Sequence, residues 1–496
     1  MINPRSSTVD DVVRRSALRT PDRTALIFGD RSWTYRELDD AVTRTAALLL
    51  DLGHGKGARI AAYGRNSDAY VLGFLGCARA GLVHVPINYN LTGEELDYLV
   101  EQSGSSAILA DEGLTDRLAH RDEPVITLES LVASVSSGPV PELGVSVVDT
   151  DLVQLLYTSG TTSRPKGAMM SHRAFVHEYV SCVVAMDLRE DDDPLHVMPL
   201  YHSAGMHVFM LPYLMVSATG RIMVAPEVPE ILRRIEADKI GSMFLAPTVW
   251  VPLSNHPDFA TRDLSSLRKA YYGASIMPGP VLGRLREALP ELGFYNLFGQ
   301  SEIGPLATAL GPDEHADRPD SCGRAVLFVE LRVVDSAGND VPPGELGEVV
   351  YRSPQLCDGY WDKPEETEEA FRDGWFHSGD LVKVDEQGYL TVVDRIKDVI
   401  NTGGVLVASR EVEDALYTHP AVAEAAVIGL PDDRWIEAVT AVVVAKSEVT
   451  PQELIAHVKG KLAGFKVPKG VHLVDELPRN ASGKLLKRVL RDELSP

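Results

Sequence analysis

The chain has 496 residues, of which 45% are apolar, a composition typical of a globular enzyme and a length too great for one hydrophobic core. Its formal net charge of -23 argues against nucleic acid and anionic membranes as general partners, because both would be repelled. The N-terminus lacks the apolar core of a signal peptide, and no apolar run approaches the roughly 18 residues of a membrane span. We therefore expect a cytoplasmic protein without integral membrane association.

Short apolar strands alternate with helix-length segments through most of the chain. A capping box, in which Thr34 precedes Glu37, predicts the start of a helix that continues through apolar positions to Leu49. The apolar runs that we take as strand candidates are 107–110, 152–156, 222–225 and 242–246. This alternation predicts an α/β fold, with a large N-terminal domain of mainly parallel sheets flanked by helices.

The pattern changes to close-set short strands near residue 323, which predicts a β-rich subdomain over about 323–394. From Arg395 onward the mixed pattern returns, and this segment carries 14 basic and 14 acidic residues, so the whole net charge lies before it. We therefore predict a large domain over 1–394 and a small C-terminal α+β domain over 395–496. Within the small domain, Thr450 followed by Pro451 and Glu453 predicts another helix start.

The cysteines are far apart and show neither CxxC spacing nor the spacing of metal ligands. We interpret them as reduced thiols that are packed inside the protein. They are Cys77, Cys182, Cys322 and Cys357.

The most informative segment is the polar loop at 157–167, Tyr-Thr-Ser-Gly-Thr-Thr-Ser-Arg-Pro-Lys-Gly. It follows the apolar run 152–156, so its backbone N–H groups are free at the end of a strand. Lys166 adds a mobile positive charge that suits phosphate oxygens, and the glycines let the backbone approach a ligand closely. The loop is not a Walker A sequence, and a solvated loop is the alternative interpretation. Its further polyphosphate-binding candidates are Thr158, Ser159, Gly160, Thr161, Thr162 and Ser163.

Further motifs follow this loop in a fixed order. They are Pro-Leu-Tyr-His at 199–202, Asn-Leu-Phe-Gly-Gln-Ser-Glu at 296–302, Trp-Phe-His-Ser-Gly-Asp at 375–380, Asp-Arg-Ile-Lys-Asp at 394–398 and Pro-Arg-Asn-Ala-Ser-Gly-Lys at 478–484. Together with the loop they resemble the adenylate-forming (AMP-binding) superfamily of acyl-CoA synthetases, peptide-synthetase adenylation domains and beetle luciferases. The resemblance covers about residues 20 to 490 and implies an enzyme that uses ATP, Mg²⁺ and CoA.

The chemistry implied by the resemblance is the activation of a carboxylic acid. A carboxylate is a poor electrophile, and attack on the α-phosphate of ATP brings two anions together, so charge neutralisation is essential. By resemblance, Glu302 binds Mg²⁺ together with Thr161, and Lys484 bridges the carboxylate and the α-phosphate. Lys166 and His202 join Lys484 and Thr161 as catalytic candidates. The alternatives are a surface ion pair for Glu302, a solvated charge for Lys484 and a packed histidine for His202.

The resemblance also assigns residues to the nucleotide. Phe298 would lie against the adenine, and Asp380 with Arg395 would contact the ribose hydroxyls. A core phenylalanine and a structural salt bridge are the alternatives, and a plain structural turn is the alternative for Gly273 and Ala274. The remaining nucleotide-binding candidates by resemblance are Gly273, Ala274, Asn296, Gly299 and Ser301.

Lys397 matches the position of a hinge about which the family's small domain alternates between two half-reactions. Gly403 and Gly404 would then face CoA. Departures from the family pattern concentrate on this face, where Ile436 replaces the usual glycine and 405–409 is less polar than usual, with Val405 and Leu406 at its start. These changes leave open whether the thiol acceptor is CoA or a carrier protein. Elsewhere Ser163 and Ser301 replace the family's glycine and threonine.

The acyl pocket is expected to form from three apolar stretches, 201–209, 244–251 and 271–277, with no aspartate placed to hold an α-amino group. A hydrophobic carboxylic acid is therefore expected, with a fatty acid first and an aryl or cinnamate-type acid as the alternative. Two further functions stay open, namely an adenylating enzyme with a carrier-protein thiol or an amine as acceptor, and a non-catalytic nucleotide-binding protein. The sequence also leaves a homodimer open.

Overall fold

The structure is a computed structural model that describes residues 7–158, 164–275, 277, 279–432, 434–479 and 485–495. Its residues divide into two compact units. The first holds residues up to 158, 165–331 and 351–376, and the second holds 332–350 and the chain from 377 onward. Over the described ranges, no helix is both long enough and apolar enough to cross a bilayer.

The first part of the chain alternates strands and helices as the sequence predicts. Its elements are α1 (Asp11–Arg19), β1 (Thr24–Phe28), β2 (Arg31–Thr34), α2 (Tyr35–Asp51), β3 (Arg59–Tyr63), α3 (Asp68–Ala80), β4 (Val83–Ile87), α4 (Glu94–Ser103), β5 (Ser105–Ala110), β6 (Val125–Thr127) and α5 (Leu128–Val135). The predicted capping box begins α2, because Thr34 Oγ1 accepts from the Glu37 N–H at 3.2 Å and Glu37 Oε2 accepts from the Thr34 N–H at 2.8 Å.

The next part of the first unit continues the alternation. Its elements are β7 (Leu152–Thr158), β8 (Lys166–Ser171), α6 (His172–Ala185), β9 (Pro194–His196), a π-helix (Ala204–Met210), α7 (Leu211–Met215), β10 (Gly220–Ile222), α8 (Val228–Asp238), β11 (Ser242–Phe244), α9 (Pro247–Asn255), β12 (Lys269–Gly273), α10 (Gly279–Ala288), β13 (Gly293–Phe298), β14 (Thr308–Leu310) and β15 (Arg324–Ala325). The strands predicted at 107–110 and 152–156 are confirmed in β5 and β7, and the strand predicted at 242–246 is present as β11 but ends at Phe244. The bounds predicted for 222–225 are wrong, because the pairing of β10 with β1 ends at Ile222 opposite Phe28.

Two sheets organise the first unit. A six-stranded sheet has the order β6-β5-β3-β4-β7-β8, and a nine-stranded sheet has the order β15-β14-β13-β12-β11-β9-β10-β1-β2. Neighbouring strands are parallel except for β7 with β8, β1 with β2, and the β13-β14-β15 edge. The predicted α/β fold with mainly parallel sheets is therefore confirmed. The phosphate-type loop follows β7, at the carboxyl end of a parallel strand, where ligands bind in open α/β sheets.

The rest of the chain has shorter and more antiparallel elements. They are β16 (Glu330–Val334), β17 (Gly347–Arg352), α11 (Pro364–Ala370), β18 (Phe371–Arg372), β19 (Trp375–Val384), β20 (Leu390–Arg395), β21 (Ile400–Thr402), β22 (Val405–Val407), α12 (Ser409–Tyr417), β23 (Val422–Asp432), β24 (Ile436–Ala445), α13 (Pro451–Lys459), β25 (Gly470–Val474) and α14 (Lys487–Leu494). Helix α13 begins with the predicted capping box, in which the Glu453 N–H donates to Thr450 Oγ1.

Two five-stranded sheets belong to this later part of the chain. One has the order β16-β17-β19-β18 with β20 on β19, which accounts for the predicted β-rich segment. The other has the order β22-β21-β24-β23 with β25 on β24, and α12 and α13 pack on its apolar face around buried residues such as Val412 and Leu454.

All four cysteines are buried and free, as expected from their spacing. Burial raises the pKa of the Cys77, Cys182 and Cys357 thiols, so these groups stay protonated and unreactive at neutral pH.

Candidate active site

The Glu302 carboxylate is held at the end of the strand that leads into the phosphate-type loop. Thr158, the last residue of β7, donates from Oγ1 to Glu302 Oε1 at 3.1 Å. Tyr360 donates from its hydroxyl to the same oxygen at 3.0 Å, and the Cys357 N–H donates to the backbone oxygen of Glu302 at 2.8 Å. Only 8% of Glu302 is exposed, so these bonds fix a nearly buried carboxylate. No sequence pattern singled out Tyr360, because its role depends on a contact with a residue far away in the chain.

Lys166 lies over the aromatic ring of the same tyrosine. It is the first residue of β8 and pairs across the hairpin with Thr158. Its Nζ lies 5.2 Å from the centre of the Tyr360 ring, a cation–π distance. The hairpin therefore places a cation and a carboxylate around one aromatic ring, which is the charge pattern that a polyphosphate with a divalent cation requires.

The loop between these strands carries several of the predicted site residues. Ser159, Gly160, Thr161, Thr162 and Ser163 lie outside the described residues, so their roles stay predictions. The predicted adenylation lysine, Lys484, also lies outside the described residues.

The residues around Glu302 fit the predicted magnesium ion. Thr158 and Tyr360 both donate to Oε1 of this carboxylate, and Mg²⁺ in nucleotide sites is held by one or two carboxylates together with phosphate oxygens. Within the part of the chain that the structure describes, no group of three or more acidic, histidine or cysteine side chains could hold a metal alone. A site that relies on nucleotide oxygens for its remaining ligands is consistent with that finding.

The motif at 296–302 is packed tightly against the chain that follows it. A Cβ added at Gly299 would lie 1.9 Å from the Pro305 carbonyl oxygen, so this position requires glycine. Ser301 hydrogen bonds through Oγ to Ser203 Oγ at 2.9 Å, which joins this motif to the residue that follows the motif at 199–202. Asn296 donates from its amide to the Ser321 carbonyl at 2.9 Å, so one of its groups serves the fold.

Phe298, Gly273 and Ala274 lie at the carboxyl ends of neighbouring strands. Gly273 pairs with Leu297 across β12 and β13, and a Cβ there would lie 2.3 Å from the Leu297 carbonyl oxygen. Ala274 is exposed and has a φ of +63°, which turns the chain away from the sheet. Phe298 is half-buried at the end of β13. The structure brings these three residues to one sheet edge, and their contacts with adenine stay predictions.

His202 lies in a turn before the π-helix Ala204–Met210. Its backbone N–H donates to the Pro199 carbonyl at 3.2 Å, and its Nδ1 accepts from the Ala204 N–H at 3.3 Å. The residue is exposed. Because short π-helical segments are frequent at functional sites, the geometry agrees with the functional interpretation of His202 without testing it.

The three stretches predicted to form the acyl pocket meet in an aromatic cluster. Phe209 stacks on Phe244 with ring centres 4.6 Å apart and lies 5.1 Å from Tyr271, which in turn lies 5.0 Å from Tyr295. Phe209 and Phe244 also line a small cavity together with Gly205. The phenylalanine rings cannot ionise and burial raises the pKa of Tyr271 further above its ordinary value, so these three side chains carry no charge.

The predicted ribose-binding residues pair with each other in the second unit. The register of β19 and β20 sets Asp380 opposite Arg395, and Arg395 Nε lies 2.8 Å from Asp380 Oδ1. Arg395 also donates to the Ser378 carbonyl at 2.9 Å. Asp380 is 4% exposed, so the salt bridge that the sequence offered as an alternative is present. Contact of either residue with a ribose stays a prediction.

The predicted hinge and acceptor-face residues also lie in the second unit. Lys397 is exposed in the short turn Ile396–Asp398, and Gly403 and Gly404 form the turn between β21 and β22. The apolar residues on this face are exposed: Val405 at 45%, Leu406 at 61% and Ile436 at 59%. Ile436 has a φ of +66°, which is strained for a β-branched residue and is the conformation that the family's glycine would adopt freely.

The comparisons with known proteins agree with this geometry. The AMP-binding enzyme family matches residues 13–361, and the AMP-binding enzyme C-terminal domain matches residues 411–484. The chain is similar to a feruloyl-CoA synthase of an Amycolatopsis species, with 37% identity over 490 residues that cover 96% of this chain and 97% of that protein. It is also similar to a medium/long-chain fatty-acid–CoA ligase of Mycobacterium tuberculosis, with 33% identity over 95% of this chain and 88% of that protein.

A solved structure is similar over nearly the whole chain. The o-succinylbenzoate-CoA synthetase of Bacillus subtilis, in complex with its acyl-adenylate intermediate, matches with a TM-score of 0.90 and 28% identity over 97% of this chain and 98% of that one. The same enzyme in complex with ATP and a magnesium ion matches with a TM-score of 0.89. The resemblance inferred from the motifs is therefore confirmed. This chain belongs to the AMP-binding enzyme family, in which it is an acid–thiol ligase of the acyl-CoA synthetase type.

Proposed function

We propose that this enzyme uses ATP and Mg²⁺ to convert a hydrophobic carboxylic acid to an acyl-adenylate and then transfers the acyl group to CoA. The observation that carries the proposal is the meeting of Thr158, Lys166 and Glu302 around Tyr360 at the mouth of the phosphate-type loop. This arrangement supplies a positive charge and a carboxylate where a polyphosphate would lie.

In the first half-reaction, a carboxylate oxygen forms a bond to the α-phosphorus while the bond to the bridging oxygen breaks and pyrophosphate leaves. Lys166 would neutralise charge on the phosphates, and Thr161 with its neighbours Ser159, Gly160 and Thr162 would donate hydrogen bonds to them. Magnesium, held through Glu302, would supply further neutralisation of the phosphate charge. Lys484 is proposed to meet the reacting carboxylate and the α-phosphate.

In the second half-reaction, the CoA sulfur bonds to the acyl carbon, the mixed anhydride breaks, AMP leaves and the thiol proton passes to solvent. Asp380 and Arg395 are proposed to hold the ribose in both half-reactions. The small domain proposed over 395–496, with a hinge near Lys397, would bring Gly403 and Gly404 to the acceptor. A carrier-protein thiol remains the alternative acceptor, because Ile436 and the apolar start of β22 depart from the usual CoA face.

The substrate that we propose is an aryl or arylacrylic acid. The stacked rings of Phe209 and Phe244 beside Tyr271 favour a planar aromatic guest, because aromatic pairs gain about 0.5–1.5 kcal/mol beyond the burial of their area. The 37% identity to a feruloyl-CoA synthase supports the same class. A fatty acid, the first expectation from the sequence, stays the second candidate and is supported by the similarity to a fatty-acid–CoA ligase.

The test is acid-dependent exchange of labelled pyrophosphate into ATP over a panel that includes cinnamic, benzoic and medium-chain fatty acids. Thioester formation is then measured with CoA and with a carrier protein. We expect exchange with an arylacrylic acid and thioester formation with CoA. Lys484→Ala should lose most exchange and keep thioester formation from supplied acyl-adenylate, whereas no exchange with any acid would refute the proposal.

A further inference from the structure

A buried carboxylate lies behind the Glu302 turn and has no part in the reaction described above. Glu178, on α6, is fully buried. Its Oε1 accepts a hydrogen bond from the Leu306 N–H at 2.9 Å and one from the Cys182 thiol at 3.3 Å. Its Oε2 accepts a hydrogen bond from the Gln355 side-chain amide. The carboxylate therefore joins a helix, the turn after Glu302 and the segment before Cys357.

Gln355 completes the connection. Its amide nitrogen also donates to the carbonyls of Ile303 at 3.2 Å and Leu306 at 3.1 Å, so its two N–H groups are shared among three acceptors. Its side-chain oxygen accepts from Ser181 Oγ at 2.6 Å, which fixes the orientation of the amide. Gln355 is fully buried, as is Ser181.

These bonds hold the chain just after the candidate magnesium ligand and lie beside the segment that contacts the backbone of that ligand. Ile303 directly follows Glu302, and Leu306 lies four residues after it. Cys357, two residues after Gln355, donates its N–H to the Glu302 carbonyl at 2.8 Å. We define the buried side chains Ser181, Glu178 and Gln355 as the Glu302 brace.

Burying a carboxyl group to hold a turn has a cost in desolvation free energy. A carboxylate removed from water costs several kcal/mol in its charged form unless it is paired, and the hydrogen bonds that Glu178 receives within the described residues come from uncharged groups. Burial accordingly raises the pKa of Glu178 to about 8. An apolar residue at this point would pack at lower cost, but it would leave the Leu306 N–H unpaired and the turn less defined.

We propose that Glu178 and Gln355 are positioning residues that fix the Glu302 carboxylate and thereby set the affinity of the enzyme for Mg²⁺ with ATP, without touching either. This inference rests on the proposed function, in which Glu302 is the magnesium ligand. A displacement of Glu302 by a fraction of an ångström changes metal affinity because Mg²⁺ demands near-octahedral geometry at short distances.

The test compares Gln355→Leu with Cys182→Ala, a matched buried control in the same cluster that removes only the thiol bond to Glu178. The concentration of Mg²⁺ needed for half-maximal binding of ATP is measured by calorimetry, and pyrophosphate exchange gives the KM of the acid. We expect Gln355→Leu to raise the Mg²⁺ requirement at least tenfold and to change the acid KM less than twofold. Cys182→Ala should resemble the parent enzyme. Equal effects of both variants would overturn the proposal.

A double-mutant cycle separates positioning from general stability. If Gln355 acts through Glu302, adding Gln355→Leu to Glu302→Gln causes no further loss of Mg²⁺ affinity, whereas additive losses would overturn the inference. If Glu302→Gln alone leaves the Mg²⁺ requirement unchanged, the proposed function of Glu302 fails instead, so the two failures are distinguishable. Should Gln355→Leu unfold, Ser181→Ala, which releases only the orientation of Gln355, takes its place with an expected threefold or greater effect.

Discussion

Ile436 offers a direct test of backbone strain on the proposed acceptor face. Its φ of +66° is the left-handed conformation, which costs an L-residue roughly 1–2 kcal/mol, and its side chain is 59% exposed, so little apolar burial offsets that cost. Glycine adopts this conformation freely but has the more flexible unfolded chain, which costs about 0.5–1 kcal/mol. We expect Ile436→Gly to be about 1 kcal/mol more stable than Ile436→Ala, because both lose the same branched side chain and only alanine keeps the strain.

The stabilities of the two variants are compared by urea unfolding, followed by circular dichroism. The quantity measured is the urea concentration at the midpoint of the transition in which the second unit unfolds. Equal stabilities, or a more stable alanine variant, would refute the strain argument. The same pair of variants tests access to the thiol step, since both remove bulk opposite Thr402, the residue before Gly403. If the isoleucine narrows the approach of the acceptor, single-turnover thioester formation from supplied acyl-adenylate accelerates in both variants. An unchanged rate would show that this side chain does not restrict the acceptor.

Three further outcomes are expected. Tyr360→Phe removes the hydrogen bond from the Tyr360 hydroxyl to Glu302 Oε1 and should weaken Mg²⁺-dependent ATP binding by about 1 kcal/mol, roughly fivefold, in calorimetry. Because burial raises the pKa of Glu178 from an ordinary 4.5 to about 8, its contribution to stability is complete below pH 4.5 and is lost as the pH rises to 8. The free energy of unfolding of the parent should therefore fall by up to about 4 kcal/mol more than that of Glu178→Gln between pH 5 and 8, measured by thermal unfolding, since a shift of one pKa unit corresponds to about 1.36 kcal/mol. The neighbouring Cys182 thiol stays silent because its pKa is raised as well. Phe244→Ala opens the aromatic cluster and should raise the KM of an arylacrylic acid about tenfold while changing that of a fatty acid less than threefold, measured by pyrophosphate exchange.

The elements that could be predicted from the sequence are those that depend on neighbouring residues. The capping boxes at Thr34 and Thr450 act within one turn of helix, so their signals are complete in a four-residue window. The strand that becomes β7 is likewise a short apolar run followed by a polar one. The bounds of β10 were wrong because the end of a strand is set by the register of its neighbour, which no local pattern encodes.

The candidate site residues also divide into those that a local motif marks and those that depend on distant contacts. Glu302 was predicted because its motif resembles a known family, and Lys166 because a lysine in a glycine- and hydroxyl-rich loop suits phosphate oxygens. Tyr360, Glu178 and Gln355 were missed because each acts through a partner between 49 and 177 positions away in the chain, and single polar or aromatic residues carry no periodic signal. Buried hydrogen-bond networks of this kind become visible only when the fold brings their members together.

Glu178 and Ile436 are both locally unfavourable, and each lies near residues with a proposed role in one half-reaction. Glu178 places a carboxylate in a fully buried network behind the candidate magnesium ligand, and Ile436 places a β-branched residue in a left-handed turn opposite Thr402. Each carries a local cost, which is desolvation of a carboxyl group at the first position and left-handed backbone strain at the second. The two positions differ in burial, and this difference separates their roles. Glu178 is fully buried and bonds to the turn after Glu302, so it can hold that turn in place, whereas Ile436 is exposed and can act only on what approaches from outside. The first therefore bears on adenylation and the second on the choice of acceptor.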